Sequence, residues 1–166
     1  MKGTSSLFWS FEEINLRLNA MRILLQFDLP ADAQAAARMR ECLEAAAELI
    51  REDKEEQAID PAFFIGNQAD YPAWLREACG DAKVIEQLEK FGACEAGELA
   101  EYDFETWYED LFAAETWDFR LDWNPGGGTF SFEAEDEHYG GDVAPALVLF
   151  AAGAESIRAM KRGNLV

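Results

Sequence analysis

Trp117-Asp118-Phe119-Arg120-Leu121-Asp122-Trp123, then Asn124-Pro125-Gly126-Gly127-Gly128, then Thr129-Phe130-Ser131-Phe132-Glu133-Ala134-Glu135: this run decides the fold class. Trp117, Phe119, Leu121 and Trp123 alternate with Asp118, Arg120 and Asp122. Phe130, Phe132 and Ala134 alternate with Ser131, Glu133 and Glu135. A period of two on both sides of a glycine-rich turn predicts an antiparallel hairpin over 117–135. Two strands alone are marginal in water, so the aromatic face must pack on helices or on a third strand. The N-terminal segment and residues 146–150 are the two sources for that strand.

Upstream of the hairpin the period is that of a helix. Phe11, Ile14, Leu18, Met21 and Leu25 recur at three and four residues. Ser10 and Glu13 form a capping-box pair, and Trp9 and Ile14 stand where a hydrophobic staple would. Ile14, Leu16 and Leu18 also alternate, which is the competing strand reading, but the spacing favours a helix over 11–27. Pro30 suits the first turn of a second helix reaching about residue 57, with Ala36, Met39, Leu43, Ala46 and Ile50 as its stripe. The short break between the two predicts an antiparallel helical hairpin. Asp60-Pro61 and Asp70-Tyr71-Pro72 read as helix starts. Short helices follow over 72–79 and 82–91, the second stopped by Gly92. Phe63, Phe64 and Ile65 read as a wedge into the core. Asp103 caps a helix over 104–115, with Phe104, Trp107, Tyr108, Leu111 and Phe112 on one face. A C-terminal helix runs from about 143 to 160, with Lys161 and Arg162 near its end, where the helix dipole favours cations. The expectation is a single α+β domain over 1–166. It has a mainly helical body, a small antiparallel sheet near 117–135 and a closing helix.

The 166 residues carry 33 acids and 14 lysines and arginines, a formal charge of −19. With 49% hydrophobic residues the chain has enough apolar material for a core, unlike a disordered acidic tail. Such a charge argues against direct binding to nucleic acid or to anionic membrane. No apolar run is long enough to span a bilayer, and no signal peptide is visible, so a cytoplasmic location is expected. The acids are unevenly placed. Residues 91–157 hold 16 of them against one cation, Arg120, while residues 158–166 hold three cations and no acid. Glu101, Glu105 and Glu109 are four apart, so a helix puts like charges on one face, at a cost of a few tenths of a kcal/mol per pair. Asp118, Asp122, Glu133 and Glu135 share the polar face of the hairpin, with only Arg120 to relieve them.

Signals for chemistry are sparse. Cys42, Cys79 and Cys94 are odd in number and widely spaced, which disfavours a zinc site or a disulfide framework. Cys42 reads as a buried thiol. The single histidine, His138, lies in an acidic loop that matches neither H-E-x-x-H nor an EF-hand. The glycine-rich turn lacks the lysine of a P-loop. No G-x-S-x-G occurs. Trp107, Tyr108, Phe112, Trp117, Phe119 and Trp123 read as core, because a base-stacking platform needs cations nearby.

The sequence therefore points away from catalysis and towards binding, with no cofactor and no metal. The expected partner is a basic protein, a nucleic-acid-binding effector or a nuclease. Its cationic surface would be covered by Glu101, Asp103, Glu105, Glu109, Asp110, Asp118, Asp122, Glu133, Glu135, Asp136 and Glu137. Carboxylates spaced roughly 6 Å apart on a helix approximate the charge spacing of a nucleic-acid backbone. In size and charge the chain resembles acidic phage inhibitors of host defence, of the anti-restriction and anti-CRISPR kind. That resemblance implies a stoichiometric nucleic-acid mimic that evades antiviral defence, and it transfers no residue. The alternatives are an immunity protein against a toxic nuclease, which uses the same physics, a metal-dependent enzyme centred on His138, and an adaptor binding through exposed aromatics.

Overall fold

The computed structural model describes residues 21–60, 62, 66, 68–92, 97, 99–113, 116–134 and 143–162. The fold is α+β. Strand β1 (Met21–Asp28) leads into helix α1 (Ala33–Ile59). A 3-10 turn (Gln68–Asp70) and helices α2 (Ala73–Ala78), α3 (Ala82–Phe91) and α4 (Phe104–Ala113) follow. Then come β2 (Thr116–Asn124), β3 (Gly127–Ala134), α5 (Val143–Ala152) and β4 (Ile157–Arg162). The strands form one antiparallel sheet in the order β2-β3-β1-β4.

The hairpin forms where period two predicts it. Leu121 stands opposite Phe130 and Asp122 opposite Thr129. Asn124 Oδ1 accepts the Gly126 N–H at 3.1 Å across the turn. A Cβ on Gly127 would intrude on the Phe27 carbonyl oxygen and lie 2.9 Å from the Asp28 Cα, so the close approach of β1 requires glycine there.

Over residues 21–28 the expected N-terminal helical hairpin does not form. Residues 21–28 are a strand, and the expected helix over 11–27 is overturned for that part. Residues 1–20, with Ser10, Glu13 and the staple, lie outside the described residues. Ile23, Leu25 and Phe27 are buried while Leu24 and Gln26 are half-exposed, a period of two that the spacing of Met21 and Leu25 concealed. Pairing on both edges, with β3 and with β4, decides the matter. β1 is thus the third strand that the hairpin needed, whereas residues 146–150 are helical.

The long helix α1 begins at Asp32, not Pro30: the Asp32 carboxylate accepts the Ala35 N–H at 2.9 Å. Asp60, read as a start, ends it by donating its N–H to the Glu56 carbonyl. Met39, Leu43, Ala46 and Ile50 are its buried stripe. Pro72, not Asp70, is the cap of α2. The bounds of α3 match the reading, with Asp81 capping its start and Gly92, at φ 85°, ending it. Phe63, Phe64, Ile65 and residues 114–115 lie outside the described residues.

The expected C-terminal helix stops at Ala152. Gly153, at φ 121°, breaks it, and the Gly153 and Ala154 N–H groups donate to the Phe150 and Leu149 carbonyls. The chain then returns as β4 beside β1. Lys161 and Arg162 therefore lie on an edge strand and not at a helix terminus. Every residue of α5 from 143 to 150 is buried. It packs against α1, α2, α3 and α4, which is why it is apolar all round. The Trp107 Nε1–H, on a side chain with no exposed surface, donates to the Ala144 carbonyl at 2.9 Å and fixes α4 on α5.

Candidate functional site

The last turns of α1 meet the C-terminal end of α4. Gln57 Nε2–H donates to the Phe112 carbonyl at 2.7 Å. The Tyr71 hydroxyl, behind them, donates to Asp53 Oδ2 at 2.8 Å, and its ring meets those of Trp107 and Tyr108 edge-on. The Tyr108 hydroxyl is buried with no hydrogen-bond partner among the described residues. Burial, then the Asp53 and Glu56 carboxylates, push its pKa up to about 12. Half-burial raises the Asp53 pKa, Glu56 and Asp70 add to that, and the Tyr71 hydrogen bond opposes it. These couplings place Asp53 and Glu56 on the side of α1 that faces α4.

The same seam receives the acids of α4. At about 100° per residue, Glu105 lies within about 20° of Phe112 around the helix axis and Glu109 within about 60°, while Asp110 is about 160° away. Glu105 and Glu109 therefore lie on the Phe112 side of α4, and Asp110 stands on the far flank. All three are exposed. Glu101 is exposed in the turn before α4. Asp103 caps α4: its Oδ1 accepts the Thr106 N–H and hydroxyl, both at 2.8 Å, which lowers its pKa. Among the described residues, no ion pair engages Glu52, Glu55, Glu56, Glu105, Glu109 or Asp110. From 48 to 60 and from 101 to 113 the chain carries eleven carboxylates and two cations.

One of those two cations is Lys54, with 8% of its surface exposed. It continues the apolar stripe of α1, four residues after Ile50. Its ammonium lies 5.1 Å from the Phe112 ring centroid and 6.0 Å from that of Phe119. Burial lowers its pKa to about 7. Sequence reasoning missed Asp53, Lys54 and Tyr71. A lysine falling in register with Met39, Leu43, Ala46 and Ile50 was the available signal.

The hairpin acids go elsewhere. Phe119 and Trp123 face α1: Lys54 lies over Phe119, and Trp123 Nε1–H donates to Glu44 Oε1 at 3.1 Å. Arg120 and Asp122 therefore point to the opposite face of the sheet. Asp118, in a bulge at φ 53°, is held by Arg22 Nη2 and Arg120 Nη2, both 2.9 Å from Oδ2. The expectation that only Arg120 relieves the hairpin is corrected: Arg22 arrives from β1, and it also donates twice to the Asp118 carbonyl. Glu133 is half-buried opposite Arg22. Glu135, Asp136, Glu137 and His138 lie outside the described residues. The four strands carry five cations, Arg22, Arg120, Arg158, Lys161 and Arg162. Against them stand four carboxylates, Asp28, Asp118, Asp122 and Glu133. The negative excess among the described residues thus belongs to the helical layer.

Cys42 is half-buried, not the fully buried thiol expected, and Cys79 is likewise half-buried, its pKa raised to about 12 by burial. Cys94 lies outside the described residues. Among the described residues no three His, Cys, Asp or Glu side chains are grouped to hold a metal ion. No helix there is long and apolar enough to cross a membrane. No family model, curated protein or solved structure matches the chain.

Proposed function

We propose that this chain is a stoichiometric binding protein, and that the seam between α1 and α4 covers a basic surface on a partner protein. The partner is a nucleic-acid-binding effector or nuclease, and the role is inhibition of the anti-restriction or anti-CRISPR kind. The observation that supports the reading is that Glu56 on α1 and Glu105 and Glu109 on α4 are exposed and clear of ion pairs among the described residues. Unpaired like charges on one face cost stability, and a basic surface would relieve that cost on docking. A field of this kind also speeds encounter with a cationic partner at low salt.

The test separates this seam from the hairpin. Proteins captured from host lysate at low salt and released at high salt are identified. Their affinity is then measured for wild type, for Glu56→Lys/Glu105→Lys/Glu109→Lys and for Asp122→Lys/Glu133→Lys. The seam variant should lose at least about tenfold per reversed carboxylate, about 1.4 kcal/mol each, while the hairpin variant binds normally. The captured protein's nucleic-acid binding should be competed away by the wild type. Equal binding of wild type and seam variant, with both folded by circular dichroism, would sink the proposal.

A further inference from the structure

Tyr108 carries a polar group that the fold does not use. Its side chain is 7% exposed, and its hydroxyl makes no hydrogen bond among the described residues. A buried hydroxyl without a partner loses its water and gains nothing in exchange. The ring is held edge-on to Tyr71 at 5.8 Å and lies 4.6 Å from the Phe112 ring. Tyr71 donates to Asp53 Oδ2, which leaves Asp53 Oδ1 without a hydrogen bond among the described residues. The Asp53 and Glu56 carboxylates come close enough to raise the Tyr108 pKa, yet neither bonds to its hydroxyl.

The three groups are one-sided in their chemistry. Asp53 is half-buried and Glu56 exposed, and neither has an ion pair among the described residues. Glu56 and Asp70 both push the Asp53 pKa up. Arg76, whose guanidinium lies over Phe104 at 5.2 Å, directs its donors to the Tyr71 and Gln68 carbonyls. What the set lacks is a cationic donor. An ammonium has three N–H donors and no acceptor, so it can meet two carboxylates and a hydroxyl oxygen together. A guanidinium presents a flat fork better suited to one carboxylate. A metal ion fits less well, since no three His, Cys, Asp or Glu side chains are grouped to hold one among the described residues.

We propose that a lysine side chain of the basic partner docks its ammonium here, donating to the Asp53 and Glu56 carboxylates and to the Tyr108 hydroxyl oxygen. The inference rests on the proposed function for the source of that lysine, and deepens it by naming the residue type that anchors the partner. The unpaired hydroxyl is then a group kept for binding at the expense of the free fold.

The probe is a fluorescein-labelled, end-capped nine-residue peptide that alternates arginine and alanine around one central lysine. Fluorescence anisotropy at low salt should show saturable binding below about 1 mM. Trimethylating the central lysine keeps its charge but removes its N–H donors, and should weaken binding about tenfold. Tyr108→Phe should abolish that preference and weaken the lysine peptide about tenfold, while its thermal melt equals or exceeds that of wild type. Asp53→Asn, which can still accept from Tyr71, should weaken the lysine peptide as well. Glu105→Lys/Glu109→Lys should weaken both peptides alike, so equal affinity for the two peptides together with that loss would leave the acidic surface standing and remove only the lysine site. Absence of saturable binding, equal affinity for the lysine and trimethyl-lysine peptides, or unchanged binding by Tyr108→Phe would each overturn the proposal. So would a lower melt for Tyr108→Phe, which would assign the hydroxyl to a structural water.

Discussion

Replacing Lys54 by methionine should change how stability depends on pH, and the sign is fixed by where the lysine sits. The folded protein holds this amine at a pKa of about 7 because its ammonium is stripped of water between α1, α4 and β2, over Phe112 and Phe119. In the unfolded chain it has its ordinary value of 10.5. Between those two values the unfolded state binds a proton that the folded state has released, so stability rises with pH. The slope approaches 1.36 kcal/mol per pH unit, and rounding near pH 7 leaves a gain of about 2 kcal/mol by pH 9. For a protein of this size that is about 4–8 °C in Tm. Burial raises the pKa of Cys42 and Cys79, so they oppose the gain as pH nears 9, but equally in both proteins. The difference between wild type and Lys54→Met therefore isolates the lysine. Urea unfolding followed by tryptophan fluorescence at pH 7, 8 and 9 gives that difference directly. The variant should be the more stable at pH 7, and its lead should shrink by about 2 kcal/mol at pH 9. Parallel curves across that range would refute the claim that this lysine discharges on folding.

Further substitutions probe the scaffold. Gly127→Ala should cost about 2 kcal/mol or more, because the added methyl meets the β1 backbone rather than a yielding side chain; a urea midpoint equal to wild type would contradict the close approach. Trp107→Phe keeps most of the bulk but removes the donor to the Ala144 carbonyl, and should lower stability by about 1–2 kcal/mol in the same assay. Arg22→Ala should cost about 1 kcal/mol, the partly exposed ion pair being screened. Asp118→Gly should be close to neutral, since relief of its left-handed backbone offsets the loss of its screened pairs with Arg22 and Arg120. A thermal melt in which Asp118→Gly falls far below Arg22→Ala would show that the bulge carries no strain.

What the sequence makes legible follows the range of the forces involved. The hairpin, α3 and the capped start of α4 are decided by residues close along the chain, and all three form where pattern and caps place them. β1 and β4 are decided by partners far away. Ile23, Leu25 and Phe27 do alternate, but Met21 and Leu25 fit a helical stripe equally well, and only the pairing with β3 and β4 separates the two. Residues 157–162 offer one buried-side aliphatic and several cations, which is little to read. In the candidate site, the run of acids at 101–110 was visible as composition. That Asp53 and Glu56 come close to Tyr108 was not, because they look like any acids on a long helix. Asp118 looked like one more free carboxylate until β1 brought Arg22 across the sheet.

The placement of α5 bears on how the protein is made. The helix that fills the middle of the molecule is translated after the four helices that surround it. β1 waits for residues 157–162 to be made before its second edge is paired. A nascent chain halted anywhere before residue 143 would hold α1 to α4 around a missing rod, with their apolar sides open to water. Assembly is thus deferred until residues 143–162 have been made, and closure joins β1 to β4 in one long-range step. Deleting residues 143–162 should accordingly cost the whole fold rather than β4 alone.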